Sequence, residues 1–318
     1  MCGIVGYIGP GESTSIVEDG LQNLEYRGYD SAGVALVNSE LEVFKQTGTV
    51  DDIDIPDIEA VSQGVGHTRW STHGEPTDAN AHPHTDCTGS VAVVHNGIIS
   101  NYDELKADLD THVFESATDT EVVPHLIEDE LAAGTEFLPA ITNAVDQLEG
   151  SYAIAATHAD TEEVVVARQD SPLVVGHGDS GMYIGSDVTA FAEFTQRVSY
   201  LEDGDIASLT ADGLTVYNDG QRVTREIREI DWDTEAAEKA GHDHYMHKEI
   251  HEQPHALRQT LSGRIKQLEG EVSLDIDLEG LFDGVEFIDI IACGTSYHAG
   301  LVAQQLLEAY TEFNISVT

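Results

Sequence analysis

Between Tyr152 and Tyr217 the chain is cut into short apolar runs, at 152–157, 163–168, 173–177, 183–186, 205–209 and 214–217, with turn residues between them. Runs this short are too brief for helices and predict strands, each in need of a neighbour. One short helix, about 187–195, is expected to interrupt them. Two amphipathic helices precede the series. The first follows Thr118-Asp119-Thr120-Glu121, which reads as a capping box, carries Val122, Val123, Leu126, Ile127 and Leu131, and closes at Gly134. The second carries Phe137, Leu138, Ile141, Ala144, Val145 and Leu148. Near the start, Ile4–Ile8 reads as a buried strand ended by Gly9-Pro10-Gly11. Ser15 with Glu18 forms a second capping box, for a helix whose apolar positions are Ile16, Val17, Leu21 and Leu24. Val34–Val37 and Leu41–Gln46 predict a hairpin across Asn38-Ser39, 51–63 a helix and loop, and Val91–His95 a strand. Antiparallel strands around paired helices predict an α+β domain of layered sheets covered by helices, spanning 2–228.

A different pattern follows. Residues 229–283 read as a charged linker with a helix at about 244–268. After Gly284, Val285–Ala292 is a continuous apolar strand that ends in Cys293-Gly294-Thr295-Ser296 and opens a helix from Tyr297 to Tyr310. Strand, polar loop and helix are the opening unit of a parallel α/β domain. One such unit cannot bury its own faces, so 284–318 is expected to be the truncated start of a second domain.

Charge narrows the partners. Fourteen basic residues against 59 acidic ones give a net charge of −45, spread along the whole chain. Such a field repels nucleic acid and anionic membranes. It also strains the fold unless salt screens it, since at molar salt the Debye length is roughly 3 Å. An acidic, lysine-poor surface of this kind fits the salt-filled cytoplasm of halophilic archaea. No apolar run nears the ~20 residues of a membrane span, and no signal peptide opens the chain, so a cytoplasmic protein is expected. Cys2, Cys87 and Cys293 are too scattered for a disulfide framework, which fits a reducing compartment.

The chemistry begins at Met1-Cys2-Gly3. A small residue after the initiator Met favours its removal, which would place a thiol and a free α-amine on Cys2. With an unperturbed pKa of about 8, that amine can take the thiol's proton; the alternative is an incidental cysteine after a start codon. Asn96-Gly97 at a strand end offers a side-chain amide and an unobstructed backbone N–H for an oxyanion, or is an ordinary turn. Arg69 offers a fork for a carboxylate, or a surface ion pair. Asp119 can meet an ammonium group, or cap its helix. Together these match an α-amino acid with a side-chain amide, glutamine or asparagine. His242, His244, His247, His251 and His255 lie partly at helical spacing and could share a metal; a linker helix with polar surface histidines is the alternative, and no metal or cofactor is expected. His82 and His84 read as structural, Cys87 as a loop residue, and Cys293 as packed near its turn.

Longer motifs occur in order: Cys2-Gly3-Ile4-Val5-Gly6, Glu25–Gly33 (EYRGYDSAG), Gly66–Gly74 (GHTRWSTHG), His82-Pro83-His84, Val94–Ile99 (VHNGII), Thr118–Glu121, His244–Ile250 (HYMHKEI) and Ala292–Tyr297 (ACGTSY). Over essentially the whole chain this resembles the glutamine–fructose-6-phosphate aminotransferase (glucosamine-6-phosphate synthase) family. The resemblance implies a four-layer αββα N-terminal-nucleophile sandwich, followed by the start of a sugar-isomerase domain. It implies Cys2 as nucleophile with its amine as base, and Asn96 and Gly97 as oxyanion hole. Arg69, Thr72, His73 and Asp119 would hold L-glutamine, and Trp70 would lie on the loop that closes over it. Gly294, Thr295 and Ser296 would hold the phosphate of fructose 6-phosphate, in a site left incomplete at Thr318. The full-length enzymes are expected to be homodimers. Ser71 departs from the family's usual alanine and leaves the pocket residues in place. Phosphoribosyl-pyrophosphate and asparagine-synthesising amidotransferases are the enzymatic rivals, and the strand–helix unit at 285–310 argues against both. A glutamine- or sugar-phosphate-binding protein without turnover is the non-enzymatic one.

Overall fold

A computed structural model describes residues 2–10, 13–56, 58, 61–70, 75–230, 246–247, 249–251, 253, 265–266, 271–272, 284–311 and 313–318. It divides into two compact units, Met1–Tyr245 and Met246–Thr318.

In the first unit the strands are β1 (Gly3–Ile8), β2 (Ser31–Val37), β3 (Leu41–Thr47), β4 (Gln63–Arg69), β5 (His84–Thr85), β6 (Val91–Ile99), β7 (Gly150–His158) and β8 (Val164–Gln169). They continue as β9 (Val174–His177), β10 (Met182–Gly185), β11 (Arg197–Tyr200), β12 (Asp205–Thr210), β13 (Gly213–Asn218), β14 (Gln221–Val223) and β15 (Arg228–Glu229). The helices are α1 (Ser13–Leu24), α2 (Tyr102–Asp108), α3 (Val122–Ala132) and α4 (Phe137–Val145). One sheet of eight strands runs β15-β11-β9-β10-β1-β4-β2-β3; a second of seven runs β14-β13-β12-β8-β7-β6-β5, and the ladders of both are antiparallel.

Strand side chains alternate between two interiors, because successive residues point to opposite faces. In β1, Ile4 and Ile8 enter the core between the sheets, while Val5 and Tyr7 enter the one beneath α1. In β6, Ala92 and Val94 face the other sheet, and Val91 and Val93 face α3 and α4. Strands buried on both faces read as continuous apolar runs, and that is why these segments show so little alternation. Three cores stacked in this order make four layers: α1, sheet, sheet, and α2–α4. Val17, Leu21 and Leu24 of α1 and Val122, Val123, Ile127, Ile141 and Ala144 of α3 and α4 are buried as their spacing predicts.

Several local expectations are corrected. α1 starts at Ser13, two residues before the proposed cap, and the Ser13 hydroxyl donates to the Val61 carbonyl at 2.7 Å. The helix expected at 187–195 shrinks to one 3-10 turn, Val188–Ala190, held by Asp187 accepting from the Thr189 N–H. Residues 50–52 also form only a 3-10 turn. The unit carries on past residue 228, where the Ile230 N–H still donates to the Gln196 carbonyl. Scarce arginines are used on buried acids: Arg225 makes a two-pronged pair with fully buried Asp205, at 2.6 and 2.7 Å.

In the second unit, β16 (Ile265–Lys266) pairs with β17 (Glu271–Val272), so the helix expected to reach residue 268 ends earlier. β18 (Phe287–Ile290), α5 (Gly294–Tyr310) and β19 (Asn314–Val317) form a parallel βαβ unit, with α5 opening three residues before the predicted start. Phe287, Ile291, Val302, Leu306 and Tyr310 are exposed on it.

Candidate functional site

The sandwich brings the ends of three strands together. β1 lies beside β4 with Gly3 opposite Thr68, which sets Cys2 next to Arg69 and Trp70. The Trp70 N–H donates to the Cys2 sulfur at 3.3 Å. From the other sheet, the end of β6 supplies Asn96, whose Nδ2 donates to the Cys2 carbonyl at 3.2 Å. The Asn96 Oδ1 is held by His67 Nε2 at 3.0 Å, and the same ring nitrogen meets the His95 carbonyl at 3.0 Å. Both facing atoms are acceptors, so the His67 proton sits on Nε2, and the amide is fixed with its nitrogen toward Cys2. Gly97 follows at φ +134°, exposed on the strand. A Cβ there would lie 2.0 Å from the Ser151 carbonyl oxygen, so only glycine fits.

Charge is arranged around the thiol. Arg69 is 4% exposed, and burial lowers its pKa while Cys2, Asp30 and Asp119 pull it back up. Burial raises the Cys2 pKa, opposed by the Trp70 N–H, the chain's positive N-terminus and Arg69. Asp119 is buried, with Oδ2 accepting from the Ile99 N–H at 2.8 Å. Gly28 lets the turn after α1 press on the backbone of Arg69 and Trp70, where a Cβ would stand 2.6 Å from the Arg69 carbonyl carbon. Trp70 remains 43% exposed, edge-on to Tyr29. Thr72 and His73 lie outside the described residues, as do His242, His244 and His255.

The Thr118–Glu121 motif forms no capping box. α3 opens after Glu121 with no side-chain cap. Instead Thr120 Oγ1 meets His82 Nε2 at 2.9 Å and His95 Nδ1 at 2.8 Å, Thr118 Oγ1 meets His84 Nε2 at 3.0 Å, and Glu121 accepts from the N–H groups of Glu115 and Ser116. The motif is a knot that ties the loop before α3 to the strands beneath the site. His67, His82, His84 and His95 form one buried cluster, with the His67 and His82 rings stacked at 4.2 Å. Nothing in Gly66–Gly74 marks His67 for a role; only the fold shows which amide it holds.

Burial keeps these histidines neutral. It lowers the His67 pKa to about 3, those of His82 and His84 well below the usual value, and that of His95 in the same direction. Unfolded histidine titrates near 6.5. Below that pH the unfolded chain binds more protons, so these residues' contribution to stability is complete above about pH 6.5 and is lost as pH falls toward 3. The slope is up to about 1.4 kcal/mol per pH unit for each histidine. Urea midpoints in molar KCl should therefore fall between pH 7 and 5, and less steeply in His82→Gln. A midpoint independent of pH across that window contradicts this account.

In the second unit, Gly294 (φ +56°), Thr295 and Ser296 are exposed in the first turn of α5. Cys293, expected to pack beside that turn, is exposed as well. Among the described residues, no helix is long and apolar enough to cross a membrane.

Comparison with known proteins agrees with this geometry. Residues 67–193 match the glutamine amidotransferase domain model. The whole chain is 58% identical to a glutamine–fructose-6-phosphate aminotransferase (isomerizing) of Halobacterium salinarum, covering 53% of it. For a Thermus thermophilus enzyme of the same name the identity is 47% over 97% of this chain and 52% of that one. The chain thus spans about half the length of the curated relatives it matches. Among solved structures, the glutamine phosphoribosylpyrophosphate amidotransferase of B. subtilis aligns at TM-score 0.59 with 26% identity, over 74% of this chain and 52% of that one. An allosteric regulatory enzyme of purine biosynthesis aligns at TM-score 0.60 and 20% identity, over 99% of this chain and 65% of that one, a likeness of fold. The two-sheet sandwich, its converging strand ends and these matches agree: the chain carries a class II glutamine amidotransferase domain, and over essentially its whole length it is similar to glutamine–fructose-6-phosphate aminotransferases.

Proposed function

We propose that the first unit hydrolyses L-glutamine to glutamate and ammonia, with Cys2 as the nucleophile. The observation that carries this is the convergence on Cys2 of a buried arginine and an asparagine amide fixed by a neutral histidine, with a buried aspartate acting on that arginine. Arg69 pairs with the substrate carboxylate and Asp119 with its ammonium group, while Thr72, His73 and Trp70 line and close the pocket. The Cys2 amine, freed by loss of Met1, takes the thiol proton. Sulfur attacks the side-chain amide carbon, and the oxygen collects negative charge between Asn96 Nδ2 and the Gly97 N–H. The C–N bond breaks, and ammonia leaves with the proton held on the amine. Water then attacks the γ-glutamyl thioester, which releases glutamate and regenerates the thiol.

In the full-length protein we infer that this ammonia aminates fructose 6-phosphate. Gly294, Thr295 and Ser296 at the start of α5 fit a phosphate there, since a helix N-terminus presents unpaired N–H groups to an anion. A homodimer and a cytoplasmic setting belong to the same proposal. The test is glutamate release by this chain in molar KCl, with intact mass confirming that Cys2 is the first residue. Arg69→Lys keeps the charge and loses the two-pronged geometry. It should raise KM by about 10- to 100-fold, equivalent to about 1.4–2.8 kcal/mol, with kcat changed much less. A folded chain with Cys2 exposed and no glutamate release would sink the proposal.

A further inference from the structure

A second cluster lies apart from Cys2, on the side of the sandwich that carries α3. Cys87 Sγ, His112 Nδ1, His125 Nδ1 and one carboxylate oxygen of Glu128 all fall within 4.8 Å of one another. The sulfur is 3.6 Å from His112 Nδ1 and 3.7 Å from His125 Nδ1. The Glu128 Oε2 is 3.1 Å from His112 Nδ1 and 3.2 Å from His125 Nδ1. A zinc ion bound tetrahedrally by one thiolate, two imidazoles and a carboxylate would place sulfur and nitrogen about 3.6 Å apart and nitrogen and oxygen about 3.3 Å apart. The four separations match those edges.

The surroundings have the same logic. His112 Nε2 meets Asp129 Oδ1 at 3.0 Å, the carboxylate–imidazole arrangement that turns the other ring nitrogen, as a lone pair, toward a metal. The Val113 N–H approaches the Cys87 sulfur at 3.5 Å, and the Cys87 N–H donates to Glu128 at 2.9 Å. His125 and Glu128 stand one helical turn apart on α3, and His125 is 1% exposed, while Cys87 is open to solvent and gives an ion a way in.

We propose that Cys87, His112, His125 and Glu128 bind one zinc ion. Thiolate with imidazole selects zinc over calcium or magnesium, and four protein ligands make the site structural. The ion joins the turn after β5 and the segment before Phe114 to α3, and so braces from behind the loop that carries Thr118–Glu121. The expectation of no metal looked to the histidines of 242–255; these four ligands lie at separate places in the sequence and only the fold gathers them.

The test uses the full chain, dialysed in molar KCl against micromolar zinc and then against metal-free buffer, so that ions held loosely by the acidic surface are removed. Elemental analysis should find about one zinc per chain, and the melting temperature should fall on stripping and recover on readdition. Cobalt in place of zinc should give a tetrahedral visible spectrum with a thiolate-to-cobalt charge-transfer band. Cys87→Ser should lose that band, and His112→Ala, compared at a temperature where its melt shows it folded, should weaken zinc binding at least about tenfold. A folded chain that retains no zinc overturns the proposal. So does cobalt bound without the charge-transfer band, or zinc held equally well by wild type and both variants.

Discussion

Replacing Cys2 with alanine is expected to leave the chain folded, still able to bind glutamine, and unable to release glutamate. The loss should be on the order of 10⁴-fold or more in kcat, the scale seen when a covalent nucleophile is removed. The thiol is half-buried and its contacts are with the Trp70 backbone, so little packing is lost. Arg69 and Asp119, which would hold the two charged ends of the amino acid, are untouched, so calorimetry should still detect glutamine with a Kd near that of the native protein. The direction of the Cys2 pKa explains why the α-amine matters. Burial keeps sulfur protonated at neutral pH despite the Trp70 N–H and the nearby positive charges. A thiol in that state needs a base within reach, and among the described residues the histidines nearest the site are buried, neutral and already engaged with Asn96 and Thr120. A chain prepared with Met1 retained should therefore resemble Cys2→Ala in activity and the native chain in binding. Undiminished turnover by Cys2→Ala would remove Cys2 from the mechanism.

What the sequence disclosed follows from how locally each feature is encoded. Strands covered on both faces announce themselves as apolar runs, so β6–β10, β12 and β13 are legible from composition alone. β4 is not, because Gln63-Gly64-Val65-Gly66-His67-Thr68-Arg69 has neither a run nor an alternation. Its glycines are there because α1 lies on it: a Cβ at Gly66 would meet Val17 at 2.8 Å and Leu21 at 2.9 Å. The edge strands β5, β14 and β15 are two or three residues long and leave no periodic trace. The two capping boxes fail for a physical reason. Serine, threonine and glutamate at that spacing also serve any loop that must satisfy buried donors and acceptors, and Thr118–Glu121 does so for three histidines and three backbone N–H groups. Cys2, Asn96, Gly97, Arg69 and Asp119 stand out in the sequence only as candidates, since each residue type also serves an ordinary turn, cap or surface pair, and it is the ordered run of longer motifs that selects them. His67 does not stand out at all, since a residue that acts by holding another has no chemical signature of its own.

In the proposed mechanism, Asn96 and Gly97 separate two ways of damaging the same oxyanion hole. Asn96→Ala removes one donor and the bond to the Cys2 carbonyl, but leaves β6 in place on β7. It should cost about 10²–10³ in kcat, the usual loss for one such donor. The cost in stability should be about 1–3 kcal/mol, because His67 loses one of the two acceptors at its buried Nε2. Gly97→Ala forces the backbone. Its φ of +134° is strained for any other residue, and the new methyl would collide with the Ser151 carbonyl on β7. Rotating away would swing the Gly97 N–H off the oxyanion, and moving β7 would disturb the pairing of Asn96 with Ala153. Either way the fold and the site fail together. The expected result is a kcat loss at least as large as for Asn96→Ala, with a melting temperature lowered by several degrees, the shift corresponding to about 2 kcal/mol in a domain of this size. Steady-state kinetics and thermal melts on the two variants decide it. If Gly97→Ala melts with the native protein and turns over at the native rate, the N–H at 97 has no part in stabilising the oxyanion.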